Sequence, residues 1–157
     1  MDPIFQQNLN DTIRALYRVS DTAKRESRQA FKAASGVLIG AIQARAPESM
    51  EPHHRYLGGR IVATYYPGNL RRGFKTLTFR RSSAVFVGPA VDKSGSGGEF
   101  RGARADAYYA PWIEFGAPGA GIAPQPFVKP AVQAAGDLTL RIATDFLKRK
   151  IEQHARI

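Results

Sequence analysis

The chain has no cysteine. That removes disulfides, zinc–thiolate sites and thiolate nucleophiles, and it suits assembly in a reducing compartment. Histidine is scarce: only His53, His54 and His154 are present. Adjacent His53 and His54 lack the spacing that sets two imidazoles on one helix face, so even with Glu48 and Glu51 nearby no metal site is expected. Long apolar runs are also missing. The longest mostly apolar stretch, Val37 to Ile42, falls far short of the ~20 residues a membrane span requires. The first residues, MDPIFQQNLND, carry no basic segment followed by an apolar one, so no secretory signal and a soluble protein are expected. Acidic side chains are few, 13 against 23 Lys and Arg, which leaves a net charge of +10 on 157 residues.

Motifs for chemistry are equally thin. Gly68-Asn-Leu-Arg-Arg-Gly73-Phe74-Lys75-Thr76 approaches a phosphate-binding loop, but Phe74 separates glycine from lysine. The residues after it alternate like a strand, where the mechanism needs a helix N-terminus. Gly95-Ser-Gly97-Gly-Glu-Phe100 has phenylalanine where a dinucleotide fingerprint needs its third glycine. No G-x-S-x-G elbow occurs. Asp106 and Glu114 lie eight apart, which fixes no acid–base geometry. An enzyme is therefore not expected, and neither is a cofactor.

What is present points to one α+β domain over residues 1–157, a size that supports one core. Leu9, Ile13 and Leu16 form an apolar stripe and predict a first helix over 5–19. Ser20 or Asp21 then reads as the N-cap of a second helix, with Phe31, Ala34, Leu38 and Ile42 on one face and an end before Pro47. Residues 47–60 are polar and turn-rich and read as a loop. Strands are expected over 60–66 and 75–80, then at 84–87 after a Ser82-Ser83 turn, with the last central in one small antiparallel sheet. Residues 92–105 are glycine-rich and polar, and predict a loop that is mobile in the free protein. From Pro130 onward, Ala135, Leu138, Ile142 and Phe146 predict a long C-terminal helix packed on the sheet.

Two regions carry the functional signal. Residues 53–105 hold ten basic side chains against Asp92 and Glu99 alone. Of these, Arg71, Arg72, Lys75, Arg80, Arg81, Arg101 and Arg104 are candidates for contact with DNA or an acidic partner, since such a field favours polyanions. Tyr109 to Ala131 packs aromatics and five prolines around one carboxylate. Tyr108, Tyr109, Trp112, Phe115 and Phe127 supply large contact area of the kind enriched at interface hot spots, and with Glu114 they are the interface candidates. Glu114 sits between Ile113 and Phe115; if buried it needs a partner, and an arginine from 71–81 or from a neighbouring subunit is the expected one.

The order of elements resembles a known family. A helix ends in Ala46-Pro47; Gly68-x-Leu70-Arg71 follows; a strand pair ends in Val87-Gly88; Tyr109-Ala110 leads to Glu114-Phe115-Gly116; Pro126-Phe127-x-x-Pro130-Ala131 opens the last helix. This is similar to the small tail-component proteins of long-tailed, lambda-like bacteriophages, also called neck or tail-completion proteins, over residues 20–155. Two departures stand out. Residues 48–67 separate elements that lie close together in that family, and Pro67 replaces its usual threonine before the glycine. The resemblance implies a non-enzymatic virion part, assembled in the bacterial cytoplasm. It implies a ring, with a homohexamer favoured, that joins connector or head-closure proteins to tail-tube or terminator proteins and lets DNA pass. Glu-Phe-Gly would be the turn that positions the last helix. The alternative class is a standalone nonspecific DNA-binding protein.

Overall fold

Two long helices carry the structure, a computed structural model that describes residues 3–79, 84–90 and 107–155. Helix α1 (Pro3–Arg45) is a single element of 43 residues, about 65 Å at the usual helical rise. The two helices expected from the sequence are thus one. Ser20 and Asp21 do not cap a new helix; Asp21 instead faces Lys24 one turn on, 3.9 Å away. Neither proline nor glycine interrupts the junction, and a serine or aspartate inside a helix costs well under 1 kcal/mol.

Strands β1 (His53–Leu57) and β2 (Arg60–Tyr65) form an antiparallel hairpin, where the sequence had suggested a loop up to residue 60. The turn is Gly58-Gly59, both at positive φ (57° and 76°), as a two-residue hairpin turn requires. The pairing sets His53 opposite Tyr65 and His54 opposite Thr64, with a bulge beyond Arg55. Next come one helical turn, α2 (Asn69–Arg72), and a second hairpin, β3 (Phe74–Thr78) with β4 (Val85–Pro89). Among the described residues these are two separate two-stranded sheets, so β4 pairs with β3 alone and is not the centre of one sheet. The expected turn at Ser82-Ser83 and the expected mobile loop 92–105 lie outside the described residues.

Helix α3 (Ala110–Phe115) and a 3-10 turn at Pro118–Ala120 lead into α4 (Val128–Ala155). α4 was expected on the sheet. It packs along α1 instead. Small side chains explain this: Ala30 and Ala34 of α1 and Ala143 of α4 are buried together, flanked by Ile142, Phe146 and Leu147, so the backbones come close and run antiparallel. The β3–β4 hairpin lies against α1, tied by Ser35 Oγ and Thr76 Oγ1 at 2.6 Å. At the other end of the helix pair, Ile42, Ala46, Leu70, Phe74, Ala107, Ala110, Phe127 and Ala131 form the main core. Phe74 and Phe127 meet edge to face there at 5.5 Å. The fold is α+β.

Candidate functional site

The core end of the molecule also builds the site, and Glu114 organises it. Gln125-Pro126-Phe127 precede α4, so none of the side chains that usually cap a helix is present. Three backbone N–H groups therefore need an acceptor. Glu114 supplies it: Oε2 accepts from Phe127 N at 2.7 Å and Val128 N at 2.9 Å, and Oε1 accepts from Lys129 N at 3.1 Å. Pro130 has no N–H to satisfy, and Ala131 N already donates to Phe127 O. Every early amide of α4 is accounted for. The helix starts at Val128, two residues before the expected Pro130, because this remote cap exists.

The side chain of Glu114 is only 7% exposed. Burial pushes its carboxyl up, while the bonds from Val128, Phe127 and Lys129 pull it down, and the result lies below the ordinary carboxylate value. The arginine partner expected from sequence is replaced by main chain. Hydrogen bonds to the charged form and a helix N-terminus suffice to hold a buried carboxylate. Gly116 closes the turn at φ 78°; Gln125 N then donates to Ile113 O at 2.7 Å, which anchors the extended segment before α4.

On the outer side, α3 presents a row of rings. Tyr108 touches Trp112 edge to face at 5.4 Å and Tyr109 at 5.6 Å. The β1–β2 hairpin adds a second tier: His53 stacks on Tyr65 at 5.1 Å, and both meet Tyr109, at 4.8 and 5.5 Å. The Arg55 guanidinium sits 4.7 Å over the Tyr108 ring, a cation–π contact. Burial, and then the neighbouring His54, hold the His53 imidazole below its usual value, so it stays neutral among the rings. Between hairpin, α2 and α3 lies an open cleft of about 480 Å³. Tyr66, Tyr108 and Trp112 line it, together with Glu48, Ser49 and Gln125.

Comparison of this chain with protein-family models, with curated proteins and with solved structures finds no match in any of the three.

The interface candidates divide into two groups. Phe127 is 1% exposed and, with Glu114, belongs to the interior. Phe115 (79% exposed), Trp112 (48%) and the half-buried Tyr108 and Tyr109 offer surface. The basic candidates divide as well. Arg71 pairs with Glu48 at 3.2 Å and reaches Ala46 O at 3.4 Å, and Arg72 donates to Pro67 O at 3.1 Å; Lys75 is exposed on β3. Arg80, Arg81, Arg101 and Arg104 lie outside the described residues. Sequence reasoning missed Glu48 and His53 as cleft walls, because residues 47–60 read as loop, and it placed Tyr66 in a strand without placing it at the cleft. The signal was there: Gly58-Gly59 between strand-like runs is a two-residue hairpin turn.

The one buried carboxylate near the cleft is fully engaged by main chain. Among the described residues no group of three or more His, Asp or Glu is placed to hold a metal ion, and no helix is long and apolar enough to cross a membrane.

Proposed function

We propose that this chain is a structural subunit of a bacteriophage neck or tail, forming or completing a ring at the head–tail junction through which DNA passes. One observation carries the reading. The segments on which the family resemblance rests are scattered from Ala46 to Ala131, yet Ala46, Leu70, Ala110, Phe127 and Ala131 all fall in one core, with Val87 and Tyr109 against it. Glu114 then fastens the Glu-Phe-Gly turn to the start of α4 through three bonds. The half-exposed aromatic row beside that core suits protein contact, since large rings bury much area at little entropic cost.

Electron microscopy of the purified chain, with sedimentation velocity across a concentration series, tests the proposal. Closed rings of one size, six copies being favoured by tail symmetry, are the expected result, and antibody to the chain should label the head–tail junction of virions. A chain that stays monomeric, labels no virion and retains duplex DNA with a steep salt dependence would instead be a standalone DNA-binding protein.

A further inference from the structure

We propose that the outer face of the β3–β4 hairpin binds single-stranded nucleic acid, with bases on its two phenylalanines and phosphates on the lysines beside them. This goes beyond the ring reading and does not depend on it. β3 turns Phe74 into the core and Thr76 toward Ser35 of α1, so strand alternation sends Lys75, Leu77 and Phe79 outward. Leu77 stands opposite Phe86 of β4, which places Phe86 on the same face. Phe79 and Phe86 meet edge to face at 5.6 Å, yet they remain 57% and 51% exposed. Two rings that touch each other and still face solvent form a platform on which a flat group can lie.

The rim of this platform is cationic. Arg28, Lys32 and Ser35 follow one another on one face of α1. Ser35 bonds to Thr76, and the Arg28 guanidinium donates to Phe79 O at 3.2 Å, so Lys32 stands between them along β3. Lys32 and Lys75 are exposed, and neither forms an ion pair with a carboxylate among the described residues. No acid lies on β3 or β4, and the half-buried Glu26 of α1 is engaged by Arg25 at 3.5 Å. Area then decides between partners. Two half-exposed rings offer on the order of 200 Å², well short of the roughly 800 Å² per partner that a stable protein interface takes. A base needs only one ring face, and cations beside it meet the backbone. Duplex DNA keeps its bases stacked on one another, so only an unpaired strand can use the rings.

Fluorescence anisotropy of a labelled oligothymidylate, titrated with the full-length chain over a series of salt concentrations, tests the proposal. The single strand is expected to bind more tightly than a duplex of the same length at equal salt. Phe79→Ala and Phe86→Ala should each weaken it about tenfold, while Phe86→Tyr, which keeps the ring, should bind as wild type does. Lys75→Ala should lower the slope of log affinity against log salt by about 0.7, one phosphate contact on a single strand. Ile61→Ala, at an exposed site on the other hairpin, should change nothing. Circular dichroism melts show that each variant is folded, and Phe86→Tyr carries the ring test should Phe86→Ala unfold. Equal affinity for single strand and duplex, unmoved by Phe79→Ala and Phe86→Ala, would overturn the proposal, because the charge alone would then bind. So would no binding at about 50 mM salt, where phosphate contacts are strong. A change in sedimentation of Phe86→Ala with oligothymidylate affinity intact also overturns it, and makes the rings a protein contact. Closed rings that bind no oligothymidylate overturn this surface and leave the ring reading standing. A monomer that binds through Phe79 and Phe86 supports the surface and removes the ring.

Discussion

Replacing Glu114 with glutamine isolates one charge at a place where the structure says what that charge does. The carboxylate takes three main-chain N–H bonds of 2.7, 2.9 and 3.1 Å at the start of α4. Glutamine keeps the size but has one acceptor oxygen. Turned toward Phe127 and Val128, it leaves its NH2 facing the Lys129 N–H, so one donor is orphaned and two bonds lose their charge assistance. Bonds to charged groups contribute about 1.5–3 kcal/mol, against about 0.5–1.5 for neutral ones, and the helix-terminal charge adds about 0.3–1. Partial compensation by the amide oxygen brings the expected loss to about 2–3 kcal/mol at neutral pH, or roughly 4–12 °C in Tm for a domain of this size.

The same charge sets a pH signature. The folded carboxyl titrates below its ordinary value of 4.5, so in acid the unfolded chain takes up the proton first. Its stabilisation is complete above the unfolded value and is lost as pH falls through the folded one. Urea unfolding followed by far-UV circular dichroism, from pH 7 down to 3, should show a constant gap between wild type and Glu114→Gln down to about pH 5 and a closing gap below it. A variant within about 0.5 kcal/mol of wild type at pH 7, or a gap unchanged in acid, would refute the capping account.

Phe127→Ala empties a buried site that holds the edge-to-face contact with Phe74 and should cost about 3–5 kcal/mol; Phe115→Ala, on the surface, should move monomer stability by less than about 0.5 kcal/mol. Thermal melts of both variants at a concentration where the chain is monomeric check the pair. Gly116→Ala should destabilise by about 1–3 kcal/mol, because a Cβ there would lie 3.0 Å from Pro124 Cδ at a backbone φ of 78°. For His53, whose imidazole titrates below its ordinary 6.5, the unfolded chain binds the proton first. Stability from the neutral ring is full above that value and falls as pH drops below it. Trp112 fluorescence should follow this change through the Tyr109 and Tyr108 rings, and His53→Phe should abolish it. Trp112→Ala removes a ring that is half in solvent, so the monomer should stay folded while sedimentation shows assembly lost.

Much of this fold was legible because local pattern and tertiary demand agree. The alternation in Phe74–Thr78 and the apolar run at Val85 made the β3–β4 hairpin readable, and the stripe from Ala135 to Phe146 made α4 readable. Where the reading failed, another force decided. Ser20 and Asp21 resemble a cap, but capping preference is small beside the cooperativity of a helix with no breaker in it. His53, His54 and Arg55 look like loop residues because polar side chains hide a strand whose register is set by its Gly-Gly turn. α4 chose α1 over the sheet because alanines permit close helix contact, which an apolar stripe alone does not reveal. Glu114 was legible as a buried acid needing a partner, and the missing cap before Val128 was the clue that main chain would supply it.

The segment between Ala46-Pro47 and Gly68 carries the β1–β2 hairpin, and the cleft depends on it. Without the hairpin, Tyr108, Tyr109 and Trp112 would lie along a short helix as an open row of rings. His53 and Tyr65 pack against Tyr109, the Arg55 guanidinium lies over the Tyr108 ring, and Tyr66 lines the cleft. Glu48, on the stretch leading into the hairpin, adds the only carboxylate and is itself held by Arg71 of the following turn. The core and the wall of the cleft thus have separate physical tasks: the Glu114 cap sets where α4 starts, and the β1–β2 hairpin sets what can lie against α3. The shape of the cleft can therefore change with the hairpin while the core and its helix cap stay as they are.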